Sequence, residues 1–405
     1  MYVIGILTKG LLISYITLKP MKSTLAILAI SAILLSGLLY LPGVNMNAYS
    51  QAQQAKQITQ PIRNLVYVAV EKNLTLPDGT KFHALTWNGT IPGPTVRLTQ
   101  GDIVHVTIVN PTGNKLIHSF DTHASTISAV PNFGPINPGS SKNFTFVASQ
   151  PGVFKVHCEG NGVLTMDQHV FSGMVMTMIV DPKNGYTGYT TADGVTGANH
   201  TVSPKAKEVA FQFSEYYLDK NGNYDSKAMF NHNATATWIN GIPFGYDPII
   251  TKTKNATTLF FKVGDHVRFF LLNHGDIPIN FHIVGESLDR VTDGSVVAGM
   301  GKQTYLLGGS NDAIVDVTFD KPGVYAFVNH DYSSLFKGQA GLIVVDGPDN
   351  AISKSLKLKD DSNPSNAIPP VGKDSIPVKT KPYMLGSPLK LTSISSIQTK
   401  TGQKQ

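Results

Sequence analysis

Two stretches of this 405-residue chain repeat one another. Gly101-Asp102-Ile103-Val104 opens an apolar run ending at Asn110, and Gly264-Asp265-His266-Val267 opens one ending at Asn273. Gln150-Pro151-Gly152-Val153-Phe154 returns as Lys321-Pro322-Gly323-Val324-Tyr325, and residues 172–182 return as 337–348. Copies spaced by roughly 165 residues are too far apart for a solenoid and describe two similar domains. Between breaks at Gly, Pro, Asn and Asp the runs are short and rich in β-branched and aromatic residues, as at 65–70, 103–109, 143–148 and 174–180. No long helical period competes with them, so the pattern predicts an all-β chain of two sandwiches or barrels. The domains fall at 60–183 and 204–348, joined by a Gly-, Thr- and Ala-rich linker at 184–203.

The two ends differ from this middle. Residues 1–52 contain Met21-Lys22, an uncharged apolar run from 24 to 40, then Pro42-Gly43 and a polar stretch. That order predicts a signal peptide or a retained N-terminal membrane anchor. Six Asn-x-Ser/Thr sequons, at Asn73, Asn88, Asn143, Asn199, Asn233 and Asn255, agree with an exported protein, whether periplasmic, extracellular or on the outer face of the membrane. Residues 349–405 form a basic polar tail; the nine Lys and three Asp of residues 351–405 account for the whole net charge of +6. The rest is near neutral, with no basic groove among aromatics, which excludes nucleic acid as a partner.

One cysteine, Cys158, stands in the whole chain, so no intramolecular disulfide forms and the thiol has another use. His169 follows after ten residues, and Met174 lies behind Ser172-Gly173. With His118 upstream, these make the two-His, one-Cys plane and weak axial Met of a blue-copper site. Met166 also follows the cysteine, but it precedes His169, and Met174 is preferred. His157 adjoins Cys158, and neighbours on a strand point to opposite faces, so His157 is free for a second metal. His123 and, from the second domain, His330 supply the remaining imidazoles of a three-His site with an open position. Asp121, between His118 and His123, and His282 are the candidate acid-base pair. His83, His105, His200, His232, His266 and His274 lack such context and are expected to be structural or at the surface. Aligned on the Pro-Gly pairs, Cys158 falls opposite Asn329, so the second domain kept the scaffold without the blue-copper set.

The set His118-x2-Asp121-x-His123, His157-Cys158, His169-x4-Met174, His282 and His330 resembles the copper-containing nitrite reductases, over roughly residues 60–348. Asn88-Gly89-x2-Pro92-Gly93-Pro94 is similar to a strand they share with multicopper oxidases. The resemblance implies two Greek-key cupredoxin β-sandwich domains in a homotrimer. It implies a type 1 copper on His118, Cys158, His169 and Met174, fed by a small cupredoxin or cytochrome. It also implies a type 2 copper on His123 and His157 with His330 of a neighbouring subunit. Asp121 and His282 would supply protons, Val284 would wall the substrate, and nitrite would leave as nitric oxide and water. The Cys158–His169 loop is about two residues longer than in well-known members, and Gln168 stands where Trp is common, which puts the donor-docking surface in doubt.

Two other readings compete. A laccase-like two-domain multicopper oxidase needs paired His-x-His motifs for three coppers, yet Glu159 follows Cys158, and His282 and His330 have no such partner. A non-catalytic exported cupredoxin that only carries electrons has no use for His123, His157 and His330.

Overall fold

The computed structural model describes residues 62–75, 81–192, 197, 199–251 and 256–357. The expected signal or anchor at 1–52 and the tail beyond residue 357 lie outside the described residues. Among the described residues no helix is long and apolar enough to cross a membrane.

Strand Ile103–Asn110 shows why the chain pairs into sheets. Val104, Val106, Ile108 and Asn110 are buried and the residues between them half-buried, a period of two on a β-branched run. The strand lies parallel to Ile62–Thr75 and antiparallel to Ser140–Val147, and Lys81–Trp87 completes the sheet. A second sheet orders Val96–Thr99, Val175–Asp181, Gly152–His157 and Asp121–Thr122. One core between them takes in Tyr67, Trp87, Phe120, Met176, Cys158 and Met174.

The repeat in the sequence is a repeat of topology. Lys207–Tyr216 again runs parallel to His266–Asn273, flanked by Ala236–Ile239 and Asp312–Thr318. Leu259–Lys262, Ala340–Asp346, Gly323–Asn329 and Ile279–Ile283 repeat the second sheet, with Thr304–Leu307 added at its edge. The second core is built on phenylalanine, with Phe211 stacked on Phe327 at 4.6 Å between centroids.

The two sandwiches share a packed boundary. Val175–Asp181 is buried at every position, because both its faces are covered. Met176, Met178 and Val180 enter the first core, while Ile179 joins Val153, Ala210, Phe270, Leu272 and Ile314 across the boundary. Arg97 clamps the same boundary. It donates to Asp181 at 2.6 and 2.9 Å and to Glu208 at 2.5 and 2.9 Å.

Two segments carry more structure than their composition suggests. The linker at 184–203 pairs Tyr189–Ala192 with Asn199–Val202. Arg268 lies 3.7 Å from the Tyr186 ring centroid and Arg290 3.9 Å from that of Tyr189, so cation–π contacts hold this connector down. At the start of the tail, Ala351–Leu356 is a short helix.

Candidate metal centres

Strand Gly152–His157 and the residue after it organise two side-chain clusters. Alternation sends Val156 and Cys158 into the first core. Lys155 and His157 leave by the other face, where Lys155 Nζ donates to the carbonyl of His274 at 2.7 Å and to Ser310 Oγ at 2.8 Å.

The first cluster is His118, Cys158 and His169, all buried, with ligand atoms within 4.8 Å of one another. Cys158 Sγ lies 3.7 Å from His118 Nδ1 and 3.2 Å from His169 Nδ1. His118 is pinned by paired backbone bonds to Ile136, and His169 by the short helix Met166–Phe171. Met174 is fully buried in the same core as Cys158; its N–H donates to the His169 carbonyl and its carbonyl accepts from Cys158 N–H. Met166 packs elsewhere, against the group holding Val170, Phe171 and Tyr217.

The chemistry of these donors fits a soft metal ion. Burial pushes the Cys158 thiol up to about 11, although the N–H groups of Ser119 and Gly160 donate to the sulfur at 3.2 and 3.3 Å. A bound cation displaces such a proton outright. Burial, with His118 beside it, brings His169 down to about 3, so it is a neutral imidazole ready to ligate. Burial also lowers His118, against the opposing charge of Glu71. A thiolate with two imidazoles and a nearby thioether selects copper.

The second cluster is Asp121, His123 and His157. Sheet register sets Asp121 opposite His157, with Oδ2 3.3 Å from Nε2. The His123 and His157 rings stand nearly perpendicular at 5.4 Å. Burial, then the charges of His157 and Lys155, bring His123 down to about 4. Burial would raise Asp121, but the His157 hydrogen bond and the charges of His157 and His123 outweigh it and hold the carboxyl below its usual range. Two imidazoles beside a carboxylate also suit copper, though they leave its coordination short of a third imidazole. Among the described residues these are the two groups of three or more potential ligands, and no three-metal cluster is assembled among them.

His330 and His282 stand apart from both groups and next to each other, their rings 5.2 Å apart. His330 is exposed at the end of strand Gly323–Asn329, and His282 Nδ1 lies 2.5 Å from the Gln303 carbonyl. Within one chain, then, His282 is brought to His330, while Asp121 is brought to His123 and His157. Val284, two residues after His282, is half exposed. Asn329, in the place of Cys158, is fully buried, and its Oδ1 accepts from Asn280 and Asp331 N–H at 2.9 Å each. An amide that braces backbone stands where the first domain has a thiol.

Three residues near the clusters carry no signal by motif. Lys155 sits two positions before His157, so period-two alternation alone would have placed it. His274, expected to be structural or at the surface, is fully buried. Its Nε2 lies 3.0 Å from Gln212 Oε1, and burial with nearby Lys155, His157 and His123 holds it well below the usual imidazole range. Glu71 lies on the remote strand Ile62–Thr75, with Oε1 3.3 Å from His118 Nε2.

Comparison with known proteins agrees with this donor chemistry. A family model described as multicopper oxidase matches residues 69–185. The copper-containing nitrite reductase of Alcaligenes faecalis is 31% identical over 290 residues, 67% of this chain and 72% of that protein. The copper-containing nitrite reductase of Neisseria meningitidis serogroup B is 29% identical over 309 residues, 74% of this chain and 73% of that protein. The solved copper nitrite reductase from Nitrosomonas europaea is 31% identical, covers 70% of this chain and 94% of its own, and superposes with a TM-score of 0.60. With two β-sandwiches of cupredoxin type, two candidate His/Cys clusters and this likeness to solved and curated relatives, the chain belongs to the copper-containing nitrite reductase family.

Proposed function

We propose that this protein is an oxidoreductase that reduces nitrite to nitric oxide and water, taking one electron from an external donor and two protons. One observation carries the reading above all. His157, the last residue of strand Gly152–His157, and Cys158 directly after it belong to two different side-chain clusters on opposite faces, so a short covalent path joins them.

In this reading Cys158, His118, His169 and Met174 hold a type 1 copper, and His123 and His157 with His330 of the partner subunit hold a type 2 copper, two coppers per subunit. The first copper would supply a one-electron carrier and the second a Lewis acid for a nitrite oxygen. Asp121, a carboxylate fixed opposite His157, would relay a proton taken up from solvent to the oxygen that leaves as water. His282 donates through Nδ1 to Gln303, so its Nε2 carries a transferable proton only as the imidazolium. Val284 supplies an apolar wall.

The incomplete clusters support a site shared between subunits, which in this reading is a homotrimer. His282 and His330 lie in an exposed region that also carries Val284, Leu306, Tyr332 and Phe336, all large apolar side chains at least 49% exposed. Such a patch suits burial against another subunit. The docking face for a small cupredoxin or cytochrome lies by His169, where Leu164 is 97% exposed on the turn Val163–Thr165. Export, with or without a membrane tether, rests on the run at 24–40 and the sequons.

The test is a nitrite-to-nitric-oxide assay on copper-loaded protein with a reductant, beside His330→Ala. The variant should lose turnover and keep its Cys158-dependent colour. Undiminished turnover in His330→Ala, or no nitric oxide from the parent protein, would sink the reading.

A further inference from the structure

We propose that Glu71 is a positioning residue for the Cys158 centre, binding the far side of the His118 ring and lowering the potential at which that centre accepts an electron. The inference rests on the type 1 reading of His118 and Cys158.

His118 is completely buried, and its two ring nitrogens face different ways. Nδ1 points at Cys158 Sγ. Nε2 approaches Glu71 Oε1 to 3.3 Å, without the alignment of a full hydrogen bond, and meets no hydrogen-bond partner among the described residues. If Nδ1 gives its lone pair to a metal, Nε2 must carry the ring proton. A buried N–H without an acceptor is costly, and a carboxylate is the stronger kind of acceptor.

The carboxylate is held where it is needed. Its Oε1 also accepts from Lys115 N–H at 2.8 Å and Leu116 N–H at 2.7 Å, in the turn that leads into His118. Carboxylate, turn and imidazole therefore form one unit. The outer edge of Glu71 is 19% exposed, onto a cleft of about 440 Å³ also lined by Lys72, His83 and Lys115, so its charge is not sealed in a dry core. No carboxylate pairs with the other imidazole, His169, among the described residues, which leaves the two ring ligands unequal.

An anion on the outer N–H makes an imidazole a more basic ligand, which favours the oxidised over the reduced metal. The experiment is a redox titration and visible spectrum of copper-loaded Glu71→Gln and Glu71→Asp beside the parent. Glutamine keeps an oxygen for Lys115 and Leu116, so a role confined to bracing the turn leaves the potential unmoved. The expected result is a potential raised by about 59 mV, the equivalent of a tenfold change in the one-electron equilibrium, with copper content unchanged. Glu71→Asp keeps the charge and should shift less than half as far. An unshifted Glu71→Gln, or equal shifts in both variants, overturns the proposal. Absence of any Cys158-dependent absorption in the parent fails the copper reading itself, and that outcome is seen before a variant is made.

Discussion

The separation of His330 from His123 and His157 allows a quantitative test of subunit sharing. Consider chains carrying His123→Ala co-expressed in equal amount with chains carrying His330→Ala. Each parent alone lacks one ligand in every site and should be close to inactive. If each site joins the Asp121/His123/His157 group of one chain to the His282/His330 group of the next around a closed ring, random assembly regenerates about one intact site in four. Nitrite-dependent nitric oxide release from the mixture should therefore be about a quarter of the parent protein's per chain. The Cys158-dependent absorption should stay near full, because His118, Cys158 and His169 come from a single chain. A control separates sharing from mere rescue: the double variant mixed equally with intact chains should give about one quarter if sites are shared and about one half if they are not. A mixture no more active than its parents refutes the argument that the two groups meet across chains.

Three further outcomes follow from the packing. Gly160 has φ +62, and a Cβ there would fall 2.6 Å from His169 Nε2, so Gly160→Ala should alter the visible spectrum and cost about 1–3 kcal/mol in urea unfolding. Arg97→Ala takes a two-armed donor from Asp181 and Glu208, which keep Tyr186 and Arg268 nearby, and should cost about 2–3 kcal/mol by the same measurement. Burial, with Asp276 beside it, pushes Glu215 from 4.5 up to about 8. The folded state then binds that proton more tightly than the unfolded state, so the contribution is full below about 4.5 and is lost as pH rises through about 8. Urea midpoints at pH 5, 7 and 9 should show this decline, and Glu215→Gln should flatten it.

Much of the architecture was legible because it is local. Alternation at 103–110 and the repeated Pro-Gly turns need only neighbouring residues, and so does the grouping of Cys158 with His169 and Met174. What was not legible depends on distant chain. Glu71 has the appearance of a surface charge on a half-exposed strand, and only the fold brings it to His118. His274 carries no motif, and burial by the opposite sandwich decides its environment. The even burial of Val175–Asp181 resembles any apolar run until the second sandwich is seen to cover its outer face. The 184–203 segment looked like a plain connector because its composition hides two tyrosines that meet arginines from later strands.

That same strand has a thermodynamic consequence. Two repeated sandwiches in one chain would ordinarily be free to melt one after the other, with a populated intermediate between. Val175–Asp181 belongs to the first core and to the apolar cluster at the boundary with the second sandwich, and Arg97 ties its last residue to Glu208 of the second half. Peeling it from either side exposes apolar surface in the other, so local opening and global unfolding carry nearly the same free energy there. The folded part of the chain should lose its heat capacity baseline in a single calorimetric transition, and the copper-binding half has no separate melting point to be tuned.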